Sequence, residues 1–278
     1  MKNDVVVLIG SGSIGRAIAR RVGNGKHIVL GDKNLENAKK VKQTLYDAGF
    51  ECSICEVDIS SRESILNIID HAKKYGEITN LINAAGVSPS QAPIEAILKV
   101  DLYGTAVVLE EFGKVIANGG SGVVISSQSG HRLPALSPKE DELLATTPTE
   151  DLLDLDILKV ENIENTLKAY QLSKRANVLR VAYESVNWGM KDARINSISP
   201  GIIITPLAND ELNGPRGENY KTMLESSPVG RAGTPDEVAN LASFLMSNQA
   251  AFISGSDFLM DGGTTASYKY GPLSKLDM

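Results

Sequence analysis

Val5-Val6-Val7-Leu8-Ile9-Gly10-Ser11-Gly12-Ser13-Ile14-Gly15 is the stretch that decides the fold of this chain. It begins with a continuous, mostly β-branched apolar run, which is typical of a buried parallel strand. The pattern G-x-G-x-x-G follows directly, and residues 16–22 have the spacing of a helix with one apolar face. A strand, this glycine turn and a helix in succession predict a dinucleotide site, with the pyrophosphate at the helix N-terminus.

The second apolar run, at 27–31, ends at Asp32. An acidic residue about 20 positions past the first glycine is placed to accept hydrogen bonds from the hydroxyls of the adenosine ribose. Its carboxylate would repel a 2′-phosphate, so Asp32 predicts NAD rather than NADP, although Lys33 could partly offset that repulsion. Alternatively, Asp32 caps a helix over 34–48, a role that is compatible with cofactor binding.

Strand-like and helix-like segments alternate along the rest of the chain. We expect strands at 51–57, 79–82, 122–127, 193–198 and 256–260, and helices at 34–48, 61–75, 93–117, 162–189 and 234–246. This spacing predicts an α/β fold, a Rossmann-like doubly wound parallel sheet. No repeat or linker interrupts the pattern, so we expect a single domain over residues 1–278.

Residues 131–162 depart from this alternation. Two capping boxes, Ser137-Pro138-Lys139-Glu140 and Thr147-Pro148-Thr149-Glu150, each predict the start of a short helix. We expect a helical insertion, since a structureless loop of this length is unusual in a compact domain. Its leucines would face the body of the protein: Leu143, Leu144, Leu152, Leu153 and Leu155.

Two further segments lack a clear pattern. Residues 205–229 are polar and contain several prolines and glycines, and we expect a mobile flap there. The chain after the last strand is expected to form a short tail.

Ala169-Tyr170-Gln171-Leu172-Ser173-Lys174 places a tyrosine and a lysine on one face of the helix predicted at 162–189. A neighbouring positive charge favours the ionised form of a phenol, which makes Tyr170 a candidate acid/base for a hydroxyl or carbonyl. By itself, the spacing also fits an amphipathic helix with a surface lysine. The motifs elsewhere in the chain favour the chemical interpretation.

The composition excludes several classes of partner. The net charge of −6 argues against nucleic acid or an anionic membrane as the main partner. No segment approaches the roughly 18 to 20 apolar residues of a membrane span, and the run at 5–9 is too short for a signal peptide. We therefore expect a cytoplasmic protein.

Cys52 and Cys55 form a C-x-x-C pattern that invites a redox or zinc interpretation. They lie in the strand predicted at 51–57, where residues three apart face opposite sides. No second cysteine pair or histidine cluster completes a zinc site. We expect both cysteines to be structural and no metal to be bound.

Together, the motifs over about residues 4–263 resemble those of the short-chain dehydrogenase/reductase family. The motifs occur in the family's order: the glycine turn at 10–15, Asp58, Asn83-Ala84-Ala85-Gly86, Ser127, Tyr170 with Lys174, and Pro200-Gly201 with Thr205. The resemblance implies an NAD-dependent oxidoreductase that interconverts a secondary alcohol and a ketone by hydride transfer. It also implies a small-molecule substrate and a homodimer or homotetramer.

The resemblance assigns a role to each matching residue. Tyr170 is the implied general acid/base, Lys174 lowers its pKa and binds the nicotinamide ribose, and Ser127 polarises the substrate oxygen. The implied cofactor contacts beyond the glycine turn, Asp32, Tyr170 and Lys174 are Asp58, Ile59, Asn83, Ala84, Ala85, Gly86, Pro200, Gly201, Ile203 and Thr205.

Three departures from the family pattern bear on function. The glycine turn is one residue tighter than the family's commoner T-G-x-x-x-G-x-G. Asp101 stands where the family usually has Asn, and it could hold a water of the proton relay while its charge raises the pKa of Tyr170. The insertion separates Ser127 from Tyr170, as in the bacterial hydroxysteroid dehydrogenase/carbonyl reductase type.

The insertion leaves alternatives open. It could cover the helices at 101–117 and 162–189, which commonly form the family's dimer interface, or it could cap the substrate pocket. That pocket would be lined by 87–94, 128–136, 165–170 and 205–229. His131 and Arg132 either reach the substrate or form a solvated hinge.

The motifs also bear on other functions of this fold. A catalytically impaired nicotinamide-binding regulatory protein would be consistent with Asp101, although the intact Ser, Tyr and Lys argue against it. Enoyl reductases of this fold usually space Tyr and Lys more widely, and sugar-nucleotide enzymes usually have a longer C-terminal region. Steroid-like, acyl-chain and sugar-alcohol substrates are not separated by these motifs.

Overall fold

The computed structural model describes residues 3–214 and 217–275, with the backbone alone at 207 and 211. Its strands form one parallel sheet in the order β3-β2-β1-β4-β5-β6-β7. The strand order reverses between β1 and β4, which opens a crevice at the carboxyl ends of the strands. The predicted doubly wound α/β fold is confirmed. The strands are β1 (Asn3–Ile9), β2 (His27–Asp32), β3 (Cys52–Glu56), β4 (Gly76–Asn83), β5 (Ser121–Ile125), β6 (Arg194–Pro200) and β7 (Asp257–Met260).

Helices cover both faces of the sheet. The side chains of β1 alternate between two apolar clusters, with Val6 and Leu8 in one cluster and Val5 and Val7 in the other. The first cluster is closed by α1, α2 and α11, and the second by α3, α5 and α8. The helices are α1 (Ser13–Val22), α2 (Leu35–Tyr46), α3 (Arg62–Lys73), α4 (Ile94–Ile97), α5 (Thr105–Val115), α6 (Gln128–His131), α7 (Pro138–Thr146), α8 (Thr166–Gly189), α9 (Pro206–Leu212), α10 (Gly217–Glu225), α11 (Pro235–Leu245) and α12 (Thr264–Tyr270).

The helix predicted at 93–117 contains a π-helical segment, Leu98–Gly104, between α4 and α5. Gly104 lies close to the loop after β3, where a Cβ would come within 2.6 Å of the Ile59 carbonyl oxygen. The wider turn places Asp101 inside the protein, fully buried. Such segments inside α-helices are frequent at functional sites.

The insertion is helical, and a short helix begins near each of its two predicted starts, but only the first start has the predicted capping box. Ser137 and Glu140 form the expected capping box at the start of α7. The second box does not form, and a 3₁₀ turn at Thr149–Asp154 follows without a side-chain cap. The reason is tertiary, since the Glu150 carboxylate accepts hydrogen bonds from Arg62 Nε at 2.7 Å and Tyr103 Oη at 3.1 Å. Two more 3₁₀ turns follow, at Asp156–Leu158 and Val160–Asn162.

The leucines of the insertion pack mostly as predicted. Leu144 and Leu152 are fully buried in a cluster with α8 and the π-helical segment, and Leu153 and Leu155 pack against that cluster. Leu143 is 38% exposed, so its predicted inward orientation is wrong. It lies on the outer side of α7, next to the inward-facing Leu144.

Residues 205–229 contain more regular structure than a flap pattern predicts, because α9 and α10 lie there. The Thr205 hydroxyl accepts a hydrogen bond from the Ala208 amide at 3.1 Å, with Pro206 at the helix start. This capping pattern was readable in the sequence. The segment after β7 is also folded, into α12 and a 3₁₀ turn at Pro272–Lys275.

Candidate active site

The glycine turn leaves its backbone open at the start of α1. Gly10 has a φ of +88°, and a Cβ there would lie 2.5 Å from the Ala85 amide nitrogen. A Cβ on Gly15 would lie 2.5 Å from the Gly10 carbonyl oxygen, whereas nothing lies within 4 Å of a Cβ on Gly12. Gly10 and Gly15 therefore need to be glycine for close packing, whereas Gly12 leaves room for a ligand. This tighter turn fits a pyrophosphate at the helix N-terminus.

Asp32 is held in position by the turn itself. Its carboxylate accepts hydrogen bonds from the Ser11 amide at 3.0 Å, the Asn34 amide at 2.9 Å and the Asn37 side chain at 2.8 Å. Asn34, not Asp32, caps α2 by accepting a hydrogen bond from the Asn37 amide. The capping alternative for Asp32 is therefore wrong, and the oriented carboxylate fits a ribose.

Lys33 makes an ion pair at the same edge of the sheet. Its ammonium lies 2.8 Å from the Asp58 carboxylate, which also accepts hydrogen bonds from Ser60. Partial burial opposes ionisation of Asp58, but the bonds from Lys33 and Ser60 hold its pKa below the ordinary value. The positive charge that could have favoured a 2′-phosphate is therefore partly neutralised.

A cavity of about 260 Å³ lies at the carboxyl ends of β4, β5 and β6. It unites all the residues that the sequence assigned to catalysis with several of those assigned to cofactor binding: Ile14, Ala84, Ala85, Gly86, Asp101, Ser127, Tyr170, Lys174, Pro200, Gly201, Ile203 and Thr205. The remaining predicted residues lie along the same edge of the sheet but do not line this cavity: Gly10, Ser11, Gly12, Ser13, Gly15, Asp32, Asp58, Ile59 and Asn83.

Ser126 and Ser127 directly follow β5, and both border the cavity, but their hydroxyls make different hydrogen bonds. Ser127 lines the cavity and caps α6, with its hydroxyl accepting a hydrogen bond from the Ser129 amide at 3.2 Å. Ser126 donates to the Lys174 carbonyl oxygen at 2.8 Å, which ties β5 to α8. Tyr170 lies on the same helix, and the Lys174 ammonium is 5.3 Å from the centre of its ring.

Asp101 contacts Lys174 directly. Its carboxylate lies 3.1 Å from Lys174 Nζ and accepts hydrogen bonds from the Val87 amide at 3.3 Å. Burial would lower the pKa of Lys174, but the charges of Asp101 and Tyr170 hold it above the ordinary value. Burial raises the pKa of Asp101, and the contact with Lys174 opposes that shift. Gly86 makes room, since a Cβ there would lie 2.5 Å from Asp101 Oδ1.

His131 and Arg132 have different positions. His131 binds the β7 carboxylate of Asp257, with its Nε2 2.7 Å from Oδ2, and does not line the cavity. Arg132 does line the cavity, and its guanidinium lies 4.8 Å from the centre of the Tyr268 ring on α12. Arg132 was a candidate from the sequence, whereas Tyr268 was not. No local sequence pattern predicts that the C-terminal segment lies next to the site.

The insertion beyond Arg132 contributes no described residue to the cavity lining. It packs against α8 instead, where Arg180 donates to the carbonyl oxygens of Leu144 and Thr147. The insertion therefore covers part of α8, as the first alternative predicts, and does not cap the pocket. Tyr220 of α10 and Leu167 of α8 border the cavity where the sequence placed the substrate.

The two cysteines face opposite sides of the sheet, as predicted. Cys52 packs against one apolar cluster and Cys55 against the other. Burial raises the pKa of Cys52 to about 11 and also raises that of Cys55. Both thiols are therefore poor nucleophiles near neutral pH.

No helix within the described ranges combines the length and apolarity that crossing a bilayer requires.

The chain is similar to known proteins in both sequence and structure. Residues 3–137 match the family model described as short chain dehydrogenase, and residues 143–265 match the one described as enoyl-(acyl carrier protein) reductase. The chain is 39% identical over 267 residues to the short-chain dehydrogenase/reductase bsc3 of Alternaria brassicicola, covering 96% of this chain and 97% of the relative. It is 28% identical over 271 residues to an NAD-dependent glycerol dehydrogenase of Listeria innocua, covering 94% of this chain and 93% of the relative.

The fold is also shared with solved structures. A levodione reductase structure superposes with a TM-score of 0.76 at 21% identity, covering 96% of this chain and 99% of that one. At 21% identity, this similarity supports only the arrangement of strands and helices.

Proposed function

The chain belongs to the short-chain dehydrogenase/reductase family, and we propose that it uses NAD to interconvert a secondary alcohol and a ketone. As a member of this family it is an oxidoreductase acting on CH–OH groups. The observation that carries the finer proposal is that Ser127, Tyr170 and Lys174 line one cavity, beside the glycine turn and its oriented Asp32.

Each residue has a distinct task in this proposal. When bound, NAD would accept the hydride in oxidation, and NADH would donate it in reduction. Tyr170 takes the proton from the substrate hydroxyl in oxidation and returns it to the carbonyl oxygen in reduction. Ser127 donates a hydrogen bond to that oxygen, and the Lys174 ammonium stabilises negative charge on the Tyr170 oxygen.

The cofactor would lie along the carboxyl edge of the sheet. The turn at 10–15 would hold the pyrophosphate, Asp32 the adenosine ribose, and the backbone after Pro200 the nicotinamide carboxamide. Two observations favour NAD over NADP: Asp32 presents a carboxylate where a 2′-phosphate would lie, and the Lys33 ammonium is paired with Asp58. The Listeria innocua relative is named as NAD-dependent, which is consistent with this preference.

The proposal is tested by initial rates of nicotinamide reduction, measured by absorbance with NAD and with NADP over a panel of secondary alcohols. We expect turnover with NAD, at a kcat/KM at least about tenfold above that with NADP, because the Asp32 carboxylate repels a phosphate. Asp32→Ser should move the ratio of the two kcat/KM values toward NADP by about tenfold or more. Asp47→Ser, an exposed change at the end of α2, serves as the matched control. A wild-type preference for NADP, or an unchanged ratio in Asp32→Ser, would contradict the cofactor assignment.

A further inference from the structure

Arg132 is a cavity-lining cation without a carboxylate partner in the described part of the chain. The other cation of the cavity, Lys174, is paired with Asp101. The Arg132 guanidinium donates from Nη2 to the Ser129 hydroxyl at 3.2 Å. Its Nε is buried and has no hydrogen-bond partner among the described residues. Arg132 thus lines the cavity as a cation that no described carboxylate neutralises, and its neighbours on the guanidinium are the neutral side chains of Ser129 and Tyr268.

The structure holds this guanidinium in a defined position. The Tyr268 ring lies against it at 4.8 Å, and stacking on an aromatic face orients a planar guanidinium. On the other side, Ser129 receives its hydrogen bond and donates its own amide to the Ser127 hydroxyl at 3.2 Å. One residue therefore links Arg132 to the serine that would bind the reacting oxygen.

A fixed, partly desolvated cation next to the reacting centre is suited to an anion. Desolvation of a charge is costly unless an opposite charge compensates it, and a carboxylate matches the two-pronged geometry of a guanidinium. We propose that Arg132 binds a carboxylate of the substrate, so that the substrate is a hydroxy acid or oxo acid. The carboxylate would be separated from the reacting carbon by several bonds. This inference builds on the proposed function and specifies its substrate class.

The competing explanation is structural: Arg132 could serve only to attach α12 through Tyr268. The two explanations differ in charge selectivity. A structural arginine affects charged and neutral ligands alike, whereas an anion-binding arginine distinguishes a carboxylate from an amide of the same shape.

The test is calorimetric titration of the NADH-loaded protein with cyclohexanecarboxylate and with cyclohexanecarboxamide. We expect the wild type to bind the carboxylate more tightly, and Arg132→Gln to weaken carboxylate binding roughly tenfold to a hundredfold, as for a hydrogen bond to a charged group. In Arg132→Gln, the affinities for the carboxamide and for NADH should change less than about twofold. Arg132→Lys should retain part of the preference for the carboxylate. Lys269→Gln, which removes an exposed charge beside Tyr268, is the matched control.

Equal binding of the two ligands by the wild type, or no detectable carboxylate binding, overturns the proposal even if Arg132→Gln does not fold. An equal loss of both ligands in Arg132→Gln also overturns it, in favour of the structural role. The proposed function is tested separately, by turnover of 3-hydroxycyclohexanecarboxylate with NAD beside the neutral alcohols. Carboxylate selectivity without turnover of any alcohol would contradict the proposed function and leave the assignment of Arg132 standing.

Discussion

Asp101 introduces a negative charge 3.1 Å from the ammonium that faces the Tyr170 ring. In the family resemblance an uncharged Asn holds this position, so the electrostatics of the site differ by one unit of charge. A carboxylate near the acid/base disfavours the phenolate and partly cancels the effect of Lys174. The wild-type enzyme should therefore need a higher pH for oxidation than a variant with Asn at position 101.

The Asp101→Asn variant measures this effect. The amide oxygen can still accept a hydrogen bond from Lys174, and removing the carboxylate charge favours the phenolate. We expect the rising limb of the pH profile of kcat/KM for oxidation to move to lower pH by about one unit. Glu95→Gln, an exposed change on α4, is the control for a general loss of negative charge. An unchanged profile would show that Asp101 does not act on Tyr170 through charge, and a shift to higher pH would show that its main effect is to keep the buried Lys174 charged.

Residue-scale prediction from sequence depended on whether a contact is local. Tyr170 and Lys174 share a helix face, and Ser127 ends a strand, so their meeting in one cavity was predictable from spacing. The direct contact of Asp101 with Lys174 was not, because it depends on the side-chain direction in the π-helical segment. The pairing of Arg132 with Tyr268 joins positions remote in sequence and has no local signal.

At the scale of elements, capping signals succeeded where no tertiary contact competed. The predicted box at Ser137 begins α7, and a box at Thr234 begins α11, where a helix was predicted to start. The box at Thr147 failed because Glu150 binds Arg62, a residue of α3 that lies far away in sequence. The π-helical segment was equally hidden, since Leu98–Gly104 has an ordinary helical pattern and its widening accompanies the close approach of Gly104 to Ile59.

At the scale of the whole molecule, the insertion changes which surface is available for association. It covers part of α8 through Arg180 and meets Arg62 through Glu150. One face at the C-terminal end of α8 is exposed and carries an apolar stripe of Tyr183, Val186 and, just beyond the helix, Met190, which are 42%, 69% and 80% exposed. We propose that the protein is a homodimer or homotetramer and that this stripe is buried against a second copy.

Val186→Glu should therefore lower the molecular mass measured by light scattering after size exclusion, because a buried charge disrupts an apolar contact. Tyr46→Glu, at a 66% exposed aromatic residue on α2, should leave the mass unchanged. A monomeric wild type would contradict the oligomer, and an unchanged mass in Val186→Glu would place the contact elsewhere.

Tyr170 is proposed to move the proton in an alcohol–ketone interconversion, and the kcat of Tyr170→Phe at saturating NAD and alcohol tests this role. Tyr270→Phe, on the 87% exposed tyrosine of α12, is the matched control. We expect kcat to fall roughly 10²- to 10⁴-fold in Tyr170→Phe, with NADH binding retained and the control unaffected. If Tyr170→Phe retains most of the wild-type kcat, Tyr170 is not the acid/base of the reaction.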